Sequence, residues 1–154
     1  MSKDGWGNRV ITILMTLLVS LFTACAAQPT FDPLAAPANA EAITGKWTGN
    51  YTCLQGDTGV TLTLNGSKDG LVEGIFLFYP TLSNSSAATG RFIIRGSYFS
   101  DGSLILGGGA WIERPDGYQA VSLRGKVDSA LNTFSGVVPE CFNTAFSVKK
   151  SFQQ

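Results

Sequence analysis

Cys25, Cys53 and Cys141 are the three cysteines of this 154-residue chain, which has no histidine. A thiol can be acylated, oxidised to a disulfide, bound to a metal or used as a nucleophile, and the last of these needs an activating base. Without imidazole, Ser-His-Asp and Cys-His activation are excluded, and zinc loses its usual nitrogen ligand. Three thiols are too few for an all-thiolate metal site. The remaining candidates are carboxylates: Asp57, Asp69, Glu73, Asp101, Glu113, Asp116, Asp128 and Glu140. Two carboxyl groups in one cleft can do acid–base chemistry. But Asp69, Asp101 and Asp116 each precede glycine, where Asp is favoured for bonding its own backbone in a turn. The triplet Gly107-Gly108-Gly109 is followed by neither Lys-Ser/Thr nor a helical pattern, so it is no phosphate cradle. The expectation is a non-enzyme with no cofactor and no metal.

Cys25 has the most distinctive surroundings. Lys3 and Arg9 precede an uncharged run, Val10 to Thr23, that is rich in Ile, Leu, Val and Phe. A bilayer span takes about 20 apolar residues, so the run is short for one and has the length of a signal-peptide core. It ends in Phe22-Thr23-Ala24-Cys25. This resembles the lipobox of bacterial lipoproteins at Thr23, Ala24 and Cys25, and departs from it at Phe22, where that family prefers Leu. The resemblance implies removal of residues 1–24, acylation of Cys25 and anchoring on the extracytoplasmic side of a cell-envelope membrane. Two or three acyl chains hold stably, at about 0.8 kcal/mol per buried CH₂. Two alternatives stay open. Ala24-Cys25-Ala26 also fits an ordinary A-x-A cleavage site, which gives a soluble periplasmic or secreted protein. Cys25 can also be a plain buried cysteine in an uncleaved helix. If Cys25 is acylated or removed, Cys53 and Cys141 remain as an even pair, which in an oxidising compartment reads as a disulfide; two unrelated thiols are the other reading.

The aromatic candidates lie in Trp111-Ile112-Glu113-Arg114-Pro115-Asp116-Gly117-Tyr118. Trp111, Arg114 and Tyr118 surround a turn and are the types that make contact patches. Alternatively, Trp111 and Tyr118 pack into the fold. The whole chain has eleven basic and eleven acidic residues, and setting aside Lys3, Arg9 and Asp4 leaves a net charge of −1 for residues 25–154. The longest basic run is Lys149-Lys150, so a nucleic-acid partner is not expected.

These residues must be positioned by strands. Residues 25–42 are rich in Ala and Pro and read as an extended tether, which leaves 43–154 as one domain. There the apolar residues alternate with period two, as in Val60, Leu62, Leu64 and in Phe92, Ile94. With Asp-Gly turns between the runs, the pattern predicts about eight short strands of an all-β antiparallel barrel or sandwich. Gly49, Gly74, Gly96, Gly125 and Gly136 fall inside strand patterns and mark bends or close packing. The 107–109 triplet marks a bulge or loop. Cys53 ends the first strand and Cys141 precedes the last, so bridging them joins the two ends of the sheet as barrel closure requires.

Gly45-Lys46-Trp47 resembles the Gly-x-Trp opening strand of the avidin and lipocalin families. The resemblance implies an eight-stranded up-and-down barrel with Trp47 plugging one end. Tyr51-Thr52-Cys53 with the late Cys141 also resembles lipoprotein inhibitors of c-type lysozyme. Those carry a Ser-Gly and Tyr, then Trp-x-Lys-Gly; here Gly96-Ser97-Tyr98 is present, but Trp111 is followed by Ile112-Glu113-Arg114. The expected function is non-catalytic binding, of a small apolar ligand in the barrel mouth or of a protein at its rim. Inhibition of an extracytoplasmic hydrolase is the alternative.

Overall fold

The computed structural model describes residues 35–151. The signal run, the lipobox, Cys25 and the first part of the tether lie outside the described residues. Eight antiparallel strands form a closed up-and-down barrel in chain order: β1 Gly45–Cys53, β2 Gly56–Gly66, β3 Leu71–Tyr79, β4 Gly90–Tyr98, β5 Ser103–Glu113, β6 Leu123–Val127, β7 Thr133–Val138 and β8 Thr144–Ser151. Closure comes from β1 pairing β8, with Trp47 opposite Lys150 and Tyr51 opposite Phe146. Closing the sheet gives β1 and β8, the first and last strands, a ladder partner on both sides.

The period-two pattern sends one apolar set inward. Val60, Leu62, Leu64, Val72, Phe76, Phe92, Ile94, Leu104, Leu106, Phe134 and Val148 are all buried. Phe76 stacks on Phe92 at 4.7 Å between ring centres, and Phe134 meets Phe146 edge-on at 4.8 Å. These side chains fill the barrel from one end to most of its depth.

That end is closed. Trp47 is fully buried there, and its indole Nε1 donates to the Ile43 carbonyl at 3.0 Å. Ile43 closes a short 3₁₀ turn, Ala40–Ile43, capped by the Asn39 side chain accepting from the Glu41 amide. Upstream, Ala38 N donates to Tyr98 O and Ser100 N to Ala36 O, and Ala40 N donates to Ser67 O. The last stretch of the Ala/Pro segment is thus bonded to the barrel. Its small side chains allow this: Ala40 lies so close to Gly66 that a Cβ there would overlap its carbonyl. The adjacent β4–β5 turn is pinned by Asp101, whose carboxylate accepts from Ser103 Oγ at 2.7 Å and Ser103 N at 2.9 Å. These bonds, with Lys126 nearby, hold its pKa down to about 2.

Two of the strand glycines show why they must lack a side chain. A Cβ at Gly96 would run into the Ile105 carbonyl of β5, and one at Gly49 into the Ser147 carbonyl of β8. Close strand approach, not turn formation, is their function. The glycine triplet does not break β5. The strand continues through it, and the register against β4 slips twice, between Arg91 and Phe92 and between Phe92 and Ile94. Each slip inserts an extra β5 residue, as a bulge does.

Candidate functional site

The other end of the barrel is open. β6 pairs with β5 only from Ser103 to Leu106, so the upper half of β5 stands without a ladder on that side. Residues 114–122 loop across this gap. The result is a cleft of about 500 Å³, within the size range of small-molecule sites.

The cleft floor is aromatic. Tyr51, Phe78 and Phe92 line it from β1, β3 and β4, at inward positions where the barrel packing stops. Tyr118 forms one wall, its ring parallel to Phe78 at 5.5 Å, and Val121 continues that wall. Leu54 stands at the rim and is 85% exposed. Tyr51 packs edge-on against Phe76 at 5.5 Å. Its hydroxyl accepts from Gln55 Nε2 at 2.9 Å. Burial pushes the Tyr51 phenol up to about 12, more than the Gln55 bond pulls it down. It therefore stays neutral and keeps a proton to donate.

Glu140 brings the one carboxylate among the described residues that line the cleft. It sits in a second 3₁₀ turn, Pro139–Cys141. Its oxygens accept from Ser122 Oγ at 2.8 Å and Ser122 N at 2.9 Å, which ties the end of the 114–122 loop to the turn that follows the neighbouring strand β7. Partial burial raises its pKa, but the two Ser122 bonds and the Arg124 charge outweigh that, and the net shift is downward. Next to it, Cys141 is bonded to Cys53 across 88 residues of chain. The disulfide fixes this turn to the end of β1, beside the β1–β8 ladder that closes the barrel.

The residues singled out from the sequence fall into distinct places. Trp111 is half-buried behind the wall, edge-on to Phe92 at 5.0 Å and Phe78 at 6.2 Å. Arg114 lies 5.8 Å over the Trp111 ring, and its Nε donates to the Tyr118 carbonyl at 2.9 Å. Tyr118 alone of the three lines the cleft. Trp111 and Tyr118 do not stack on each other; Phe78 lies between their roles. Gly96-Ser97-Tyr98 ends β4 at the closed end, whereas Trp111 is near the open end, so the two parts of the inhibitor-like pattern do not share a surface. Asp69, Asp101 and Asp128 bond locally to Ser67, Ser103, Asn132 and Thr133. Asp57 accepts from Ser83 and Asn50 and fastens the 80–89 loop to β2. Among the described residues no cluster of metal-ligating side chains occurs, and no helix is long and apolar enough to cross a membrane.

Sequence reading missed Tyr51, Phe78, Phe92, Val121, Gln55, Gln119 and Glu140 as cleft residues. Alternation places Phe78 and Phe92 inward, but it does not say how far up the barrel the packing ends. Glu140 had one usable signal, its position directly before a bridged cysteine. Comparison with family models, curated proteins and solved structures found no match to this chain.

Proposed function

We propose that this is a non-catalytic binding protein of the cell envelope, anchored through acylated Cys25, whose barrel mouth holds a small, largely apolar ligand. The observation that carries the binding reading is the cleft of about 500 Å³ with its aromatic floor. A barrel selected only for stability gains from filling its interior, at about 25 cal/mol for each Å² of apolar surface buried. Here the filling stops at Tyr51, Phe78 and Phe92, which are themselves buried, and the open apolar surface of the cleft comes from Leu54 and the half-buried Tyr118. A few neutral polar groups stand around them, as in small-molecule sites generally. The described chain joins the barrel at the closed end, through Ala36 and Ala38, and not at the mouth.

The cleft is tested by fluorescence titration of the purified domain, residues 25–154, with the neutral apolar probe N-phenyl-1-naphthylamine. Saturable blue-shifted emission is expected, with affinity reduced about tenfold or more in Tyr118→Ala, because that change removes the wall ring. Near-UV circular dichroism checks that the variant stays folded. Absence of saturable binding, or equal binding by the variant, contradicts the reading. The anchor is tested by metabolic acyl labelling of the full chain in a bacterial host. Label is expected on the wild type and not on Cys25→Ser; an unlabelled wild type contradicts it.

A further inference from the structure

We infer that the cleft selects neutral, flat aromatic ligands of about bicyclic size and rejects anions of the same shape. The inference rests on the binding reading above and adds the ligand's charge and form to it. Flatness follows from the rings. Phe78 and Tyr118 stack within 9° of parallel, which holds the half-buried Tyr118 ring as a flat wall over the buried Tyr51, Phe78 and Phe92, and a planar ring system can meet that wall by offset or edge-on contact. Polar recognition would come from uncharged groups, the Gln119 amide, the Gln55 side-chain carbonyl oxygen and the Tyr51 hydroxyl; the Gln55 Nε2 already donates to Tyr51 and Thr58.

Charge selection follows from what is and is not in the lining. Among the described residues that line the cleft, none is Lys or Arg, and Glu140 is negative. Its charge is held in place by two Ser122 hydrogen bonds. The nearby cations are committed elsewhere. Arg114 lies over Trp111 and bonds the Tyr118 carbonyl. Arg91 pairs with Glu113 at 2.7 Å. Arg124 is exposed on β6, where side chains alternate out of the barrel. An anion in the cleft would lose hydration, gain no cation from the lining and face the Glu140 carboxylate, whose charge Arg124 offsets only from outside the lining. A fatty-acid or phosphate headgroup fits this site poorly.

The test uses two probes with one ring skeleton: neutral N-phenyl-1-naphthylamine and its sulfonated analogue, 8-anilinonaphthalene-1-sulfonate. The neutral probe is expected to bind the domain about tenfold more tightly or better, a small part of the cost of desolvating a sulfonate that gains no cation from the lining. Glu140→Gln should narrow that gap. Since Glu140 also holds Ser122, Gln119→Lys serves as a second variant. Gln119 is exposed and lines the cleft, so the new cation should raise sulfonate affinity relative to the neutral probe without disturbing the fold. Equal binding of both probes, tighter binding of the sulfonate, or no response to Gln119→Lys overturns the charge inference and leaves the cleft reading intact. Failure of both probes to bind overturns the cleft reading itself.

Discussion

Replacing Cys53 and Cys141 together by alanine is expected to cost the domain about 4.6 kcal/mol at most, the chain-entropy value for an 88-residue loop. The reason lies in the unfolded state. The bond joins the end of β1 to the turn before β8, so it holds the two extremes of the sheet together even when the strands separate. In the folded barrel the same elements are already paired, from Lys46 opposite Ser151 to Tyr51 opposite Phe146, so the bond asks little of the native structure. Small domains are stable by about 5–15 kcal/mol in total, so from about a third to nearly all of the margin is at stake. Urea unfolding with and without reductant measures it. The denaturation midpoint should fall sharply in the reduced wild type and in the double variant alike. A loss below about 1 kcal/mol would contradict the staple account. Cleft binding should fall too, because the bond fixes the turn from which Glu140 reaches Ser122.

Trp47→Ala is expected to destabilise by about 4 kcal/mol, the range for truncating a fully buried large aromatic. Trp47 has no exposed surface, and its ring fills the barrel beneath the 3₁₀ turn. Its Nε1 satisfies the Ile43 carbonyl, which lies under the same cover. Lys150 sits over the ring at 5.6 Å and bonds the Ala42 carbonyl at 2.7 Å, so the closed end would loosen as a unit. Trp47→Phe separates the two contributions. It keeps most of the apolar contact and loses the N–H donor, for a cost of about 1–2 kcal/mol from the unpaired carbonyl and lost volume. Thermal unfolding of both variants decides it; if Trp47→Ala shifted the midpoint no more than Trp47→Phe, the plug account would be wrong.

The barrel was legible in the sequence because it rests on a local signal. Alternation at Val60-Leu62-Leu64 and at Phe92-Ile94, with Asp-Gly between runs, states which face is buried and where the chain reverses. The five strand glycines were legible as close packing for the same reason. The disulfide was legible through the cysteine count and the positions of Cys53 and Cys141 at strand ends. The closed end was less so. Residues 35–42 look like spacer because Ala and Pro bury little surface, yet Ala36, Ala38 and Ala40 dock through backbone hydrogen bonds. Backbone bonding leaves no mark on composition. The cleft was the least legible part. It arises because β6 pairs for only four residues with β5 and because residues 114–122 bend over the gap. Strand pairing length is a non-local property, so nothing local in the sequence marks Val121 as a loop residue, which it is in the fold. Trp111, Arg114 and Tyr118 are legible as one cluster, but the placing of the two rings depends on contacts with Phe78 and Phe92 on other strands.

The cleft is tested most directly by following backbone amide resonances of the ¹⁵N-labelled domain during titration with N-phenyl-1-naphthylamine. The account predicts shifts concentrated at Gly117 to Val121, at Leu54 and Gln55, and at Phe78 and Phe92. It also predicts unchanged signals at the closed end around Ile43, Trp47 and Ser103. Shifts confined to the closed end or scattered over the outer faces of the strands would contradict it.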